Sequence, residues 1–373
     1  MQRLIRRALL FSLAICLVTA PASSQEAGKH KTQNIIFVMT DGLRWQEVFR
    51  GAELDLLEKA STEADAVAAL KKKYWRDTPE ARRQALMPFF WSVIAGQGQI
   101  YGNRDKGSDA YVTNKLNFSY PGYSETLCGF ADPRVNSNDK VPNPNVTVLE
   151  WLSRKPAYAN QVAAFAAWDV FPSIFNAKRA GFPISAGYDE FSDLPGNPRI
   201  ELLNALKEEM PHYWDEEPFD ALPFRTALEY LKQRQPRVLF LSLGETDDWA
   251  HSSNYTQYLD AAHRADEFLR ILWDTVQSIP QYHGQTTLIF SPDHGRGPDT
   301  KTWNDHGEDM PDSKYTWMAF LGPDTPGLGE RSKVPAVTQN QIAATLAGFL
   351  GENYVREVPQ AGQPVADALG GQR

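Results

Sequence analysis

Residues 237–251 read RVLFLSLGETDDWAH, an apolar run that leads into an acidic segment and ends at a histidine. A short apolar run without polar interruption is typical of a strand that is buried on both faces of a sheet. Asp247 and His251 follow this strand with the spacing i and i+4, so one helical turn would direct both side chains to the same side. The segment therefore predicts a buried strand with a carboxylate and an imidazole at its carboxyl end.

Four other apolar runs have the same character, and helix-like segments lie between the runs. These runs are NIIFVMT (34–40), QVAAFAAW (161–168), TTLIFS (286–291) and YTWMAFLG (315–322). Strands that alternate with helices predict an α/β fold with a mostly parallel central sheet and helices on both faces. In such sheets ligands bind beyond the carboxyl ends of the strands, which makes the residues after each run the candidates for a site.

The remaining segments indicate one domain with an insertion. Residues from about 49 to 109 are charged and helical in pattern, which predicts a helical insertion after the first strand, or a cap over the site. The chain has no internal repeat and no Gly/Ser-rich linker. We therefore expect a single catalytic domain over 30–360 and a flexible tail over 361–373.

The N-terminus has the three-part pattern of a secretory signal peptide. Arginines precede an apolar run at 8–19, and the small residues APASS follow it. This run is shorter than the roughly 20 residues that a membrane-spanning helix needs. We predict a signal peptide over 1–24, a periplasmic or secreted protein, and no membrane span after its removal. Cys128 is then the only cysteine, which leaves no internal disulfide.

The charge of the chain bears on the class of its partners. The formal net charge is -8, and no dense run of Lys and Arg follows the first few residues. Nucleic-acid-binding proteins normally show a basic surface, so the composition argues against that class. It leaves the oligomeric state open.

Three of the apolar runs lead into side chains that commonly bind metals. NIIFVMT is followed by an Asp-Gly pair, TTLIFS by SPDHG, and the later segment NDHGE adds a histidine. The predicted ligands are Asp41, Asp247, His251, Asp293, His294 and His306. Three carboxylates and three imidazoles suffice for two divalent cations, and this mixture favours zinc, with manganese or iron as alternatives. A turn or a solvated loop explains any one of these segments alone, but not all of them together.

A nucleophile is expected near such a pair of cations. Paired metal ions typically clamp the attacking and leaving oxygens of a displacement at phosphorus, and a covalent version needs a hydroxyl group. The segment NFSYPGYSETLCG (117–129) offers Ser119, with Pro121 in a favourable position for a first helical turn. A helix N-terminus and a cation both favour the serine alkoxide. From the residues alone, Ser124 and Thr126 remain alternatives.

The order of these motifs resembles the alkaline phosphatase superfamily, in particular its nucleotide pyrophosphatase/phosphodiesterase branch. That branch has Thr or Ser as the nucleophile, then an aromatic residue, then Pro, with a Gly nine residues after the aromatic one, and SYPGYSETLCG reproduces this spacing. The likeness spans about 34–351 and implies Ser119 as the nucleophile. It also implies two ligand sets, namely Asp247, His251 and His306 for one metal, and Asp41, Asp293 and His294 for the other.

The sequence departs from the superfamily's patterns at several positions. Sulfatases have Cys or Ser followed by x-Pro-x-Arg, but Tyr123 occupies the place of that arginine, which argues against sulfatase activity. Gly122 stands where the phosphodiesterase branch has Asn after the Pro.

Two kinds of side chain are candidates for binding the phosphate. The branch's phosphate-binding asparagine lies some way past the nucleophile, and the candidates here are Asn136, Asn138 and Asn143, of which we take Asn138. Monoesterases tend to add Arg or Lys for the dianion, and Lys178 and Arg179 offer such a pair. We take Arg179 as a second candidate contact, with a solvated basic turn as the alternative.

The sequence thus predicts an exported hydrolase of small phosphoric esters that depends on two metal ions. It would be a phosphodiesterase or a phosphomonoesterase that forms a phosphoseryl intermediate on Ser119. One alternative keeps the fold but makes it a sulfatase, a phosphoryl transferase or a mutase. Another is a non-catalytic binding protein stabilised by metal, which would need closed coordination and no hydroxyl at the metals.

Overall fold

A central sheet of eight strands organises residues 30–371, the part of the chain that the computed structural model describes. The predicted signal peptide (1–24) lies outside these residues. With the two strands of a small separate sheet, ten strands are described: β1 (Asn34–Thr40), β2 (Gln99–Tyr101), β3 (Ala110–Tyr111), β4 (Val162–Ala166), β5 (Ile184–Ala186), β6 (Val238–Leu243), β7 (Thr286–Pro292), β8 (Met318–Leu321), β9 (Gly329–Glu330) and β10 (Val337–Thr338). Across the sheet the order is β5-β4-β6-β1-β7-β8-β2-β9, and β10 pairs with β3 separately.

The middle of the sheet is parallel. β4 pairs in parallel with β5 and β6, and β1 lies in parallel between β6 and β7. β8 is antiparallel to both of its neighbours, β7 and β2. The predicted α/β fold with a mostly parallel sheet is therefore confirmed, and all five predicted strands are present. The additional strands have two or three residues each, too few for a periodic pattern in the sequence.

Helices cover both faces of this sheet. They are α1 (Trp45–Arg50), α2 (Leu54–Lys59), α3 (Ala64–Tyr74), α4 (Pro79–Leu86), α5 (Ala95–Gln97), α6 (Ser119–Cys128), α7 (Val148–Ser153), α8 (Phe171–Ile174), α9 (Ala177–Ala180), α10 (Pro198–Glu209), α11 (Ala221–Arg234), α12 (Glu245–His251), α13 (Tyr255–Ser278), α14 (Ile342–Phe349) and α15 (Tyr354–Glu357). A π-helix runs over Phe90–Ile94, and short 3-10 turns join other elements. Within 30–371, none of the helices has the length and apolar character that crossing a membrane would require.

Strand β1 shows why the site lies at one edge of the sheet. Ile36 and Val38 belong to the apolar core on one face, whereas Ile35, Phe37 and Met39 belong to the core on the other face. Every residue of the strand is buried, as expected for a strand that is covered on both sides. A polar side chain can therefore meet a ligand only beyond the end of such a strand.

The segment after β1 forms the predicted helical insertion, and it packs on α13. The Asp266 carboxylate of α13 accepts hydrogen bonds from the backbone N–H groups of Phe89 and Phe90, at 2.8 and 2.7 Å. His263 Nδ1 lies 2.7 Å from the Leu86 carbonyl oxygen. These contacts anchor the insertion to the body of the domain. None of the six predicted metal ligands takes part in them.

The C-terminal segment differs from the flexible tail that we expected over 361–373. Ala368 and Leu369 are buried, and the Val365 N–H donates to Thr345 Oγ1 of α14 at 2.9 Å. The apolar residues of this segment cover one side of α14. The folded domain therefore continues as far as residue 371, the last one described.

The anchor of the insertion can be tested by removing the Asp266 carboxylate. Asp266→Ala leaves two backbone N–H groups without their acceptor, so we expect the free energy of unfolding to fall by about 2–4 kcal/mol, as measured by urea denaturation. Asp274→Ala is the control, because Asp274 lies on the same helix and its carboxylate is 60% exposed beside Arg270. We expect that control to change stability by less than about 0.5 kcal/mol. Equal stability of the two variants would contradict this role of Asp266.

Candidate metal centre and nucleophile

The predicted ligands converge because three neighbouring parallel strands end at the same edge. Thr40 is in register with Leu243 of β6 and with Pro292 of β7, and each of these residues is the last of its strand. Asp41 and Asp293 follow directly, and α12 carries the third carboxylate on its first turns. Adjacent parallel strands thus bring together residues that are far apart in the sequence.

One group of ligands comprises Asp41, Asp293 and His294, the set that the resemblance implied. His294 Nε2 lies 3.2 Å from Asp41 Oδ1 and 3.6 Å from Asp293 Oδ2. All three side chains are buried, and within 30–371 no donor other than the His294 ring reaches either of these two oxygens. His294 Nδ1 lies 2.8 Å from the Gly295 carbonyl oxygen, which leaves Nε2 as the free ligand atom. Buried carboxylate oxygens without donors fit a divalent cation.

The second group comprises Asp247, His251 and His306. His251 Nε2 lies 2.9 Å from Asp247 Oδ2 and 3.0 Å from His306 Nε2. His306 Nε2 is 3.7 Å from Asp247 Oδ1, and its Nδ1 lies 3.2 Å from the carbonyl oxygen of Asn117. Two imidazole nitrogens thus lie together beside a carboxylate, a set of ligand atoms that suits zinc.

The two groups of ligands adjoin each other. His294 Nε2 is 3.8 Å from Asp247 Oδ1, and the rings of His294 and His306 stack with their centroids 4.1 Å apart. The same histidine therefore lies within reach of both groups, since Asp247, His294 and His306 also lie close enough to hold one ion. Two cations bound here would be direct neighbours.

Ser119 lies at this junction. It is the first residue of α6, and its Oγ is 3.5 Å from His294 Nε2. The two alternative hydroxyls on the same helix are used elsewhere: Ser124 Oγ accepts from Asn143 at 3.1 Å, and Thr126 Oγ1 donates to the Gly122 carbonyl at 2.8 Å. The geometry therefore favours Ser119 among the three candidates.

Asn138 is the predicted asparagine that reaches the start of α6. Its Oδ1 accepts the backbone N–H of Tyr120 at 3.0 Å, so the side chain stands next to Ser119. It is exposed, and across the described residues no acceptor takes its amide NH2 group. Asn143, in contrast, is buried behind the helix. The placement of Asn138 agrees with a contact to a phosphate oxygen.

The placement of Arg179 does not fit its predicted contact with phosphate. Its Nε and Nη2 donate to the two oxygens of Glu150, at 2.7 and 3.0 Å. Glu150 is fully buried on α7, and a buried carboxylate needs a paired charge. Arg179 is therefore a structural partner of Glu150, and the prediction is corrected.

Arg296 is a charged residue of the site that the sequence analysis did not identify. Its Nη2 contacts the Asp247 carboxylate, its Nε donates to the Gly42 carbonyl at 3.0 Å, and burial lowers its pKa to about 9. Gly42 has φ +57°, and a Cβ there would lie 2.7 Å from Arg296 Nη2. The Asp-Gly turn thus needs glycine for both its conformation and this close approach. An arginine two residues after the Asp-His pair was the only signal in the sequence.

The protonation of the ligands follows from burial and from neighbouring charges. Burial and the Asp41 carboxylate raise the pKa of Asp293 to about 8. For His294, burial acts in the opposite direction, but the carboxylates of Asp293 and Asp41 outweigh it and raise the pKa to about 9. Burial lowers the pKa of His306 and of His251, so both imidazoles remain neutral and can bind a metal ion through nitrogen. A cation must therefore displace protons from the Asp293–His294 pair.

These pKa values predict how metal affinity depends on pH. Because protons on Asp293 and His294 compete with the cation up to about pH 8 and 9, the apparent affinity for zinc should rise continuously from pH 6 to pH 9. A competition titration against a chromophoric chelator at several pH values measures this affinity. A constant or falling affinity over that range would contradict the assigned protonation.

Comparisons with known proteins identify the fold. No protein-family model and no curated protein sequence matches the chain. Its structure is similar to that of the alkaline phosphatase PafA (10% identity, 91% of this chain and 99% of that chain, TM-score 0.58). It is also similar to the lipoteichoic acid synthase LtaP from Listeria monocytogenes (11%, 87% and 74%, 0.56) and to a 2-O GAG sulfatase (14%, 92% and 75%, 0.54). At these identities the likeness shows an alkaline-phosphatase-like fold and nothing about the reaction.

Proposed function

We propose that this protein is a phosphoric ester hydrolase that uses two divalent cations, with Ser119 as its nucleophile. The observation that carries the proposal is the position of Ser119 Oγ, 3.5 Å from His294 Nε2 and at the start of a helix. A metal site with a purely structural role has closed coordination and does not need a hydroxyl group. This juxtaposition therefore supports an enzyme over the alternative of a metal-stabilised binding protein.

The donor set fits the proposed cations. Asp41, Asp293 and His294 would hold one of them, and Asp247, His251 and His306 the other, with zinc favoured by the mixed oxygen and nitrogen ligands. When bound, two such cations supply the positive charge that favours the serine alkoxide and stabilises the developing charge on the phosphoryl oxygens.

The reaction would proceed in two displacements at phosphorus. Ser119 Oγ forms a bond to phosphorus while the bond from phosphorus to the ester oxygen breaks, which releases an alcohol and leaves a phosphoseryl enzyme. Water then attacks phosphorus, and the serine oxygen is the leaving group. The amide NH2 of Asn138, whose Oδ1 accepts the Tyr120 N–H at 3.0 Å, would donate to a phosphoryl oxygen.

The pairing of the cationic side chains favours a diester as the substrate. A monoester dianion carries an additional charge that Arg or Lys commonly binds. Arg179 is bound to Glu150 and Arg296 to Asp247. Lys140, two residues after Asn138, pairs with an aspartate of its own at 2.7 Å. Since each of these three basic side chains already has a carboxylate partner, we infer that the site accepts the single negative charge of a small phosphodiester.

The proposed place of action is outside the cytoplasm. The signal-peptide pattern at 1–24 supports export to the periplasm or the medium. An exported hydrolase would meet phosphate esters released or presented outside the cell, so a small soluble ester is the substrate class that we propose.

Ser119→Ala tests the nucleophile. The alanine variant retains all six ligands but has no oxygen to attack phosphorus, so kcat should fall by about 10³-fold or more with the metal content unchanged. Ser124→Ala is the control, since its hydroxyl lies on the same helix and contacts Asn143. We expect this control to retain its activity. Full turnover by the Ser119 variant would refute the assignment of the nucleophile.

The substrate class is tested with three esters of the same leaving group on zinc-loaded protein. We expect kcat/KM for methyl nitrophenyl phosphate to exceed that for nitrophenyl phosphate by about tenfold or more, which is the effect of one missing charge-assisted contact. Nitrophenyl sulfate should be the poorest substrate. If the monoester were the best substrate, the inference of a diester would be wrong. If the sulfate were the best, the alternative of a sulfatase would replace the proposal.

A further inference from the structure

A hydrogen-bonded chain of two hydroxyl groups reaches the ligand Asp41 from behind. Tyr123, one turn after Ser119 on α6, is 1% exposed, and its OH donates to Asp41 Oδ2 at 3.1 Å. Ser242 Oγ on β6 donates to the Tyr123 oxygen at 2.9 Å. A phenol has one proton to donate, so with Ser242 as the donor to its oxygen, that proton goes to Asp41. The chain therefore has a direction, from the serine through the tyrosine to the aspartate.

The two oxygens of Asp41 consequently have different surroundings. Oδ2 receives the tyrosine proton, whereas Oδ1 faces His294 Nε2 at 3.2 Å. Within 30–371, no donor other than this imidazole reaches Oδ1. The backbone of Asp41 is also held, because its N–H donates to the Leu243 carbonyl at 2.9 Å and its carbonyl accepts the Thr246 hydroxyl. Hydrogen bonds thus hold both the backbone of Asp41 and its Oδ2 atom, and only Oδ1 faces the other predicted ligands.

Close packing keeps Tyr123 in this position. Its ring meets that of Phe171 edge to face, with centroids 4.7 Å apart. The preceding residue, Gly122, lies so close to the loop after β7 that a Cβ would be 2.5 Å from the Asp293 carbonyl oxygen. A larger side chain at this position would push α6 away from the loop. The glycine that departs from the phosphodiesterase pattern therefore allows the helix to bring Tyr123 to Asp41.

We propose that Tyr123 is a positioning residue that holds Asp41 as a ligand through one oxygen only, with Ser242 as its support. This inference rests on the metal centre of the proposed function. It assigns a role to the position where sulfatases have an arginine. Hydrogen bonds of this kind to a ligating carboxylate orient it, and their loss typically lowers metal affinity by about 10–100-fold.

Tyr123→Phe removes only the hydroxyl group and keeps the ring in its packing against Phe171. We expect the full mature protein to bind one of its two cations about 10–100-fold more weakly, as measured by zinc competition titration. The visible absorption of the cobalt-loaded protein should also change, because Asp41 becomes free to rotate and bind through both oxygens. A residue with a purely structural role would not change this spectrum.

Tyr120→Phe is the matched control. It lies on the same helix and is 2% exposed, but its hydroxyl donates to the Val141 carbonyl at 2.7 Å, on a segment that carries no metal ligand. We expect it to lower the melting temperature of the metal-free protein as much as Tyr123→Phe does, without a change in metal affinity or in the cobalt spectrum. An equal loss of affinity in both variants would overturn the proposal.

Ser242→Ala is a second, independent test. It removes the donor to the tyrosine oxygen and leaves Tyr123 in place, so we expect a smaller loss of affinity for the same cation and a smaller spectral change. Wild-type affinity and an unchanged spectrum in both Tyr123→Phe and Ser242→Ala would overturn the role of Tyr123 but leave the proposed function standing. A wild-type protein that binds no cation would overturn both.

Discussion

Electrostatic repulsion among carboxylates at one edge of the sheet is the constraint on which the site depends. Asp41, Asp247 and Asp293 follow adjacent buried strands, and their oxygens lie within 4 Å of one shared imidazole nitrogen. Arg296 offsets one of these charges and does so through Asp247. Such crowding of buried anions is tolerated in a folded protein only when positive charge or protons compensate it. The fold therefore concentrates negative charge at one edge of the sheet, where a bound cation would offset it.

The sequence predicted the parts of this arrangement that depend on local pattern. The buried strands could be recognised as short apolar runs, and the parallel order then placed the ligands at one edge, because the carboxyl ends of parallel strands meet there. Contacts between distant segments had no such pattern. Tyr123 reaches Asp41 across 82 positions and Arg296 reaches Asp247 across 49, so neither partner could be inferred from spacing. The prediction for Arg179 was wrong for the same reason. The sequence suggested a free basic side chain, and only the structure shows that it pairs with the buried carboxylate of Glu150.

The fold alone does not determine the chemistry of a protein that adopts it. Proteins as different as an alkaline phosphatase, a lipoteichoic acid synthase and a 2-O GAG sulfatase share this architecture with the chain. Differences among such proteins must arise from the side chains around the site, which in this chain are the surroundings of Ser119. Here those side chains are an asparagine amide, a buried tyrosine and cations that are already paired. Together they describe a site with little free positive charge from the protein itself, in which the charge that acts on the substrate would come from bound metal.

The packing of the C-terminal segment on α14 has a practical consequence for anyone who handles this protein. Because Val365, Ala368 and Leu369 cover that helix, a chain shortened at residue 360 would leave an apolar surface open to water and prone to self-association. An affinity tag fused directly after the last residue would begin only a few positions beyond buried side chains. A spacer of several flexible residues, or a tag on the N-terminal side of β1, would leave this C-terminal segment undisturbed.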